Sequence, residues 1–139
     1  MALDVGTKRI GVAMTDPLFM FAQPFTVVER KTLAVDCVEV IKLIQENEVS
    51  QLVIGIPYGD DGEPIEQSKY IFELKDKMEL FLKQRGLKVA VDTIDETMTT
   101  RDAHEEMKGA GIKHSKRKTV IDKMAAVVIL NDWLKSKNL

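Results

Sequence analysis

Near Val28 the spacing of apolar residues changes period, and that switch points to a mixed α/β architecture. Before it, Leu3 to Val5, Ile10 to Met14 and Phe25 to Val28 read as short strands. Gly6-Thr7-Lys8-Arg9 reads as the hairpin loop joining the first two, with Gly supplying a permissive backbone angle, so an antiparallel meander is expected. After it, Ala34, Val38, Ile41 and Ile44 recur at helical spacing and predict a helix from about Leu33 to Asn47. The apolar run QLVIGI, Gln51 to Ile56, ends at Pro57 and suits a buried strand. Pro64 opens a second helix, expected over 66–85, with Ile71, Leu74, Met78 and Phe81 on one face and Gly86 at its C-terminus. Lys88 to Ile94 predicts another strand. A third helix is expected from about Thr99 to Lys108, opened by Thr99 and Asp102 as a capping pair. Gly109 and Gly111 break it, and a last helix is expected from about Thr119 to Lys135.

The element order is therefore βββ-α-β-α-β-α-α. Strands separated by helices must run parallel through right-handed crossovers, whereas hairpin-linked strands run antiparallel. One mixed five-stranded sheet flanked by helices follows, with the first strand, carrying Asp4, at its centre. A length of 139 residues fits one domain over 1–139, with no repeat, linker or low-complexity segment. Hydrophobic residues make up 45% and charged residues 30%, too apolar a mixture for disorder. The longest uncharged stretch, Pro17 to Val28, is shorter than a membrane span and is interrupted by Pro24. Asp4, Lys8 and Arg9 fall where a signal peptide would be apolar, and a lone Cys37 excludes an internal disulfide framework. A cytosolic location is expected.

The net charge of −2 argues mildly against a polyanionic partner. Yet KGAGIKHSKRK, Lys108 to Lys118, holds five Lys/Arg and no acid; removing those five positive charges leaves −7 for the rest. Positive charge is thus concentrated in one segment, which is either a solvated loop or helix end, or a phosphate-binding patch.

There is no GxxxxGK[ST] loop, GxGxxG fingerprint, GxSxG elbow or HExxH motif, and His104 and His114 are not at a zinc-ligand spacing. Three carboxylates attract more interest. Asp4 interrupts an apolar strand and points opposite to Leu3 and Val5; it reads either as a turn former before Gly6 or as a metal ligand on a rigid strand. Glu96 follows Asp95 at the carboxyl end of the last strand, where ligands gather in open α/β sheets; first-turn helix charge is the plainer reading. Asp122 shares a helix face with Ala125, Ala126 and Ile129, and a carboxylate beside an apolar face needs a partner or a metal; a pair with Lys118 would also satisfy it. Converging carboxylates of this kind suit Mg²⁺ or Mn²⁺.

Several blocks together carry a family resemblance: DVGTKRIGVA from Asp4 to Ala13, Thr15-Asp16-Pro17, Gly55-Ile56-Pro57, DETMTT from Asp95 to Thr100, and DKMAAVVIL from Asp122 to Leu130. In this order and spacing, over almost the whole chain, they resemble the YqgF (RuvX) nuclease family, relatives of the RuvC resolvases. The resemblance implies an RNase H-like fold and metal-dependent phosphodiester hydrolysis, with two ions once substrate is bound. It places the acidic triad on Asp4, Glu96 and Asp122, as both catalytic groups and metal ligands. Lys8 and Arg9 match a Lys-Arg pair expected to meet phosphate, with Lys113, Lys116, Arg117 and Lys118 extending the grip. Thr97 stands where the family commonly has Arg, which bears on substrate preference.

The substrate expected from the resemblance is structured RNA, specifically the 5′ end of the small-subunit rRNA precursor. Four-way DNA is the alternative, and it would call for a homodimer rather than a monomer. Two other classes compete: a non-catalytic nucleic-acid-binding module, and an actin-like nucleotide-binding domain, since DVGTKRIG is also similar to the phosphate loop of those ATPases.

Overall fold

The computed structural model describes residues 1–16, 18, 20–96 and 114–137, with the side chains of the last helix described from Val120 onward. The elements are β1 (Ala2–Val5), β2 (Arg9–Thr15), β3 (Ala22–Glu29), α1 (Leu33–Glu46), β4 (Gln51–Ile56), α2 (Glu66–Gln84), β5 (Ala90–Asp95) and α3 (His114–Ser136). One sheet runs in the order β3-β2-β1-β4-β5. The β1–β2 and β2–β3 pairs are antiparallel, and β1–β4 and β4–β5 are parallel. The mixed sheet expected from the change of period is therefore present, with Asp4 on the central strand.

Boundaries differ in informative places. β3 begins at Ala22 and includes Pro24, which the sheet tolerates because β3 is an edge strand. The last helix begins at His114, about a turn earlier than its apolar pattern suggests; Lys and Arg are good helix formers, so the basic residues extend it. The helix expected over 99–108 lies outside the described residues. Thr32 caps α1, its Oγ1 accepting from the Val35 amide at 3.2 Å. Gly86, at φ 67°, ends α2 in the left-handed conformation, and Leu87 N–H donates back to Leu82 O at 3.0 Å.

Strand alternation divides the sheet into two unlike faces. Leu3, Val5, Ile10, Val12, Leu52, Ile54 and Ile56 point one way and pack beneath α1 and α2, against Val40, Ile41, Ile44, Ile71, Leu74 and Met78. Each fully buried aliphatic side chain stabilises the fold by roughly 1.5–3 kcal/mol, so this face carries most of the apolar driving force. The other face presents Ala2, Ala13 and Val53 to Ala126, Val127, Ile129, Leu130 and Leu134 of α3. Its side chains are small, which brings the helix close to the strands. No helix among the described residues is long and apolar enough to cross a membrane.

Candidate active site

The close approach of α3 is what assembles the polar end of its face. Asp4 follows Ala2 by two residues and so points toward α3, where it stands opposite Gly11 of β2 in the ladder. A Cβ on Gly11 would lie 1.9 Å from the backbone oxygen of Asp122, so only glycine lets the first part of α3 settle here. The same contact brings Asp122 alongside Asp4. On β4, a Cβ at Gly55 would lie 2.5 Å from Ile129 Cδ1 and 3.3 Å from Glu96 Cγ. Gly55 thereby makes room for both the helix and the Glu96 side chain. Glu96 leaves β5 with its amide still bonded to Ile56 O at 3.1 Å, which fixes its backbone at the carboxyl edge of the parallel strands.

Electrostatics record the crowding. Burial, with the negative charge of Asp122 adding to it, pushes the Asp4 carboxyl up to about 7. Burial also pushes Glu96 up to about 8, helped by a hydrogen bond to Asp132 and by the charges of Asp132, Asp95 and Asp4. The three residues expected as an acidic triad thus share one face of the sheet and, through Asp4, sense one another's charge. Among the described residues, however, no three His, Cys, Asp or Glu side chains stand close enough to form a ready-made metal cage. Asp122 Oδ2 instead accepts from Arg9 Nε at 3.0 Å, and Glu96 bonds to Asp132.

Polar contacts toward both ends fix α3 along the sheet. At one end is the Arg9–Asp122 pair; at the other, Trp133 Nε1 donates to Asp92 Oδ2 at 2.9 Å, with Lys137 Nζ 3.6 Å from the same oxygen. These bonds hold Asp92 below the usual carboxylate range, the Trp133 hydrogen bond contributing most.

The loop bearing Lys8 and Arg9 is braced from behind. Gly6 N–H donates to Arg9 O at 2.8 Å, and Arg30 Nη1 donates to Gly6 O at 2.7 Å and Thr7 O at 3.1 Å. Arg30 lies 3.9 Å over the Tyr70 ring and 3.9 Å from the buried Asp36 carboxylate, which also accepts from Lys31 N at 2.8 Å. Lys8 is exposed at the tip of the hairpin, whereas Arg9 is turned in toward Asp122. Lys113 lies outside the described residues; Lys116, Arg117 and Lys118 fall in the first turns of α3, with only their backbone described.

The family model described as "RuvX: Holliday junction resolvase" matches residues 1–136. The chain belongs to this family of nucleases. Curated relatives of the RuvX family include proteins of Clostridium novyi, 38% identical over 136 residues (98% of this chain, 97% of that one), and Natranaerobius thermophilus, 36% identical over 136 residues (96% and 92%); both carry the name "Putative pre-16S rRNA nuclease". Among solved structures, Thermus thermophilus RuvC in complex with a Holliday junction superposes with a TM-score of 0.56 at 13% identity, covering 97% of this chain and 92% of that one. That likeness establishes the RNase H-like fold.

Three features of the site escape a reading of the sequence. Asp132 is one; its position three residues after Ile129, on the face that meets the sheet, is the signal that could have drawn attention to it. The clearings at Gly11 and Gly55 are the second, since a glycine within a strand marks a close approach. The third is Arg9, which sequence pairs with Lys8 as a phosphate contact but which the fold brings to Asp122.

The donor set fits a hard divalent cation: oxygen ligands only, partly buried, whose mutual repulsion a cation would relieve. Asp4, Glu96 and Asp122 are the residues that would hold it.

Proposed function

We propose that the chain hydrolyses phosphodiester bonds of structured RNA with Mg²⁺ or Mn²⁺ as cofactor, and that its substrate is the 5′ end of the 16S rRNA precursor. The observation that supports this most directly is that Asp4, Glu96 and Asp122 lie on the α3 face of the sheet and sense one another's charge through Asp4, two of them with carboxyl groups pushed into the neutral range. In this reading Asp4 anchors the site from the central strand, Glu96 from the strand edge and Asp122 from α3. The bound ions would activate the attacking water and stabilise the leaving oxygen. Lys8, Arg9, Lys113, Lys116, Arg117 and Lys118 would hold substrate phosphates, a task that falls to concentrated positive charge in a chain of net −2. The curated relatives' names favour the RNA reading, and the cytoplasm is the compartment it requires.

A second reading, resolution of four-way DNA by a homodimer, is favoured by the family's description and by the junction-bound fold neighbour. One assay separates them. Purified chain with Mn²⁺ is given precursor 16S leader RNA and a four-way DNA junction, beside Asp4→Asn. Cleavage of the RNA alone, lost in the variant, is the expected result. Cleavage of the junction alone selects the second reading, and no cleavage of either substrate removes both.

A further inference from the structure

We propose that Arg9 is the resting counter-cation of the carboxylate site, occupying Asp122 until a divalent cation replaces it. The inference rests on the metal-dependent reading above and assigns Arg9 a role beyond phosphate contact. The pair is direct, Arg9 Nε to Asp122 Oδ2 at 3.0 Å, between residues 113 positions apart in sequence. It is also built rather than incidental. Arg9 lies on the same face of β2 as Gly11, the residue over which Asp122 docks. The hairpin behind Arg9 is fixed by the Gly6–Arg9 bond and by Arg30, itself seated on Tyr70 and Asp36.

A guanidinium and a divalent ion both seek the Asp122 carboxylate, and two cations repel one another across a few ångströms. Neutralising Asp122 lessens the repulsion among the neighbouring carboxylates when no metal is bound, at the expense of metal affinity. With side-chain exposures of 22% for Arg9 and 21% for Asp122, the pair is open enough to water for such an exchange. Once displaced, the guanidinium stays tethered at the rim of the site, where an incoming phosphate can take it up.

Calorimetric titration of the full chain with Mn²⁺ at fixed pH and salt tests this. Arg9→Gln should bind Mn²⁺ about tenfold more tightly than wild type, because a positive charge beside the site has gone. Arg9→Lys keeps that charge and should stay within about threefold of wild type. If wild type binds Mn²⁺ but Arg9→Gln binds it equally or more weakly, the counter-cation role is overturned and the metal reading survives. If wild type binds no Mn²⁺ at all, both fall. A measurement needing no variant is the Arg9 Nε–H resonance of ¹⁵N-labelled protein. It should shift as Mg²⁺ is added, and an unchanged signal at saturating Mg²⁺ would overturn the exchange even if the Gln variant failed to fold.

Discussion

The two faces of the sheet are built on opposite plans. Beneath α1 and α2 the central strands β1 and β4, with the start of β2, turn aliphatic residues inward, and the layers are held apart by the bulk of Leu3, Ile10, Leu52, Ile54 and Ile56. Beneath α3 the corresponding positions are Ala2, Asp4, Gly11, Ala13, Val53 and Gly55, so the helix backbone comes down almost onto the strands. Large side chains maximise buried apolar area, while small ones let polar groups on different elements meet at hydrogen-bonding range. One face is organised for stability and the other for bringing carboxylates together. Carboxylates crowded in this way oppose the fold unless a proton, a guanidinium or a metal neutralises them.

The sharpest way to break this comparison is Asp4→Asn. Single-turnover cleavage with Mn²⁺ should fall by about a thousandfold or more, since removal of a metal ligand forfeits several kcal/mol of charge stabilisation. Stability should not fall with it. The sign follows from the raised carboxyl of Asp4. Its folded value of about 7 lies above its unfolded one, so its contribution to stability is full at acid pH and is lost as pH rises through about 7. Glu96, raised to about 8, acts in the same sense and over a slightly higher range. Metal-free wild type should therefore lose more of its melting temperature between pH 5 and pH 9 than Asp4→Asn does. An equal loss in the two proteins would mean that Asp4 titrates normally.

On the opposite face, Ile54→Ala should cost about 2–5 kcal/mol by urea unfolding, as expected for a fully buried aliphatic residue. Cleavage by the folded fraction should be unchanged. A variant that keeps its stability but loses cleavage would show that the two faces are not separable in this way.

Gly11→Ala tests the close approach itself. Its Cβ would fall 1.9 Å from Asp122 O, so α3 must lift, at about 1–3 kcal/mol in stability. Because that shift moves Asp122 away from Asp4, cleavage should fall further than the lost stability explains. Unaltered cleavage would place Asp122 outside the reacting centre. The mildest expected effect is at the far end of the helix. Trp133→Phe removes the hydrogen bond to the half-exposed Asp92 and should cost about 1 kcal/mol, with a smaller change in cleavage than at Gly11.

Much of the fold was legible because its signals are local. Alternation from Leu3 to Val28, helical spacing from Ala34 to Ile44 and along α2, and the stops at Pro57 and Gly86 each depend on neighbouring residues only. The face on which Asp4 lies follows from the same alternation. Where α3 begins was less legible, because its first turn carries basic residues rather than an apolar stripe. Apolar spacing reports packing, and helix propensity alone extends the element beyond it.

By itself, the sequence determined the order of elements, the side of each strand on which a residue falls, and which carboxylates interrupt apolar patterns. Depth and partnership were decided only in three dimensions. Helical spacing from Ile129 gives Asp132 a face but no partner until α3 is laid across β5, and Arg9 finds its own partner only when Asp122 arrives from 113 residues away. Docking α3 requires the summed shapes of both surfaces, with Gly11 and Gly55 setting how close it comes. The charge that each carboxyl can hold depends on that closeness, because burial and a neighbouring negative charge both favour its protonated form.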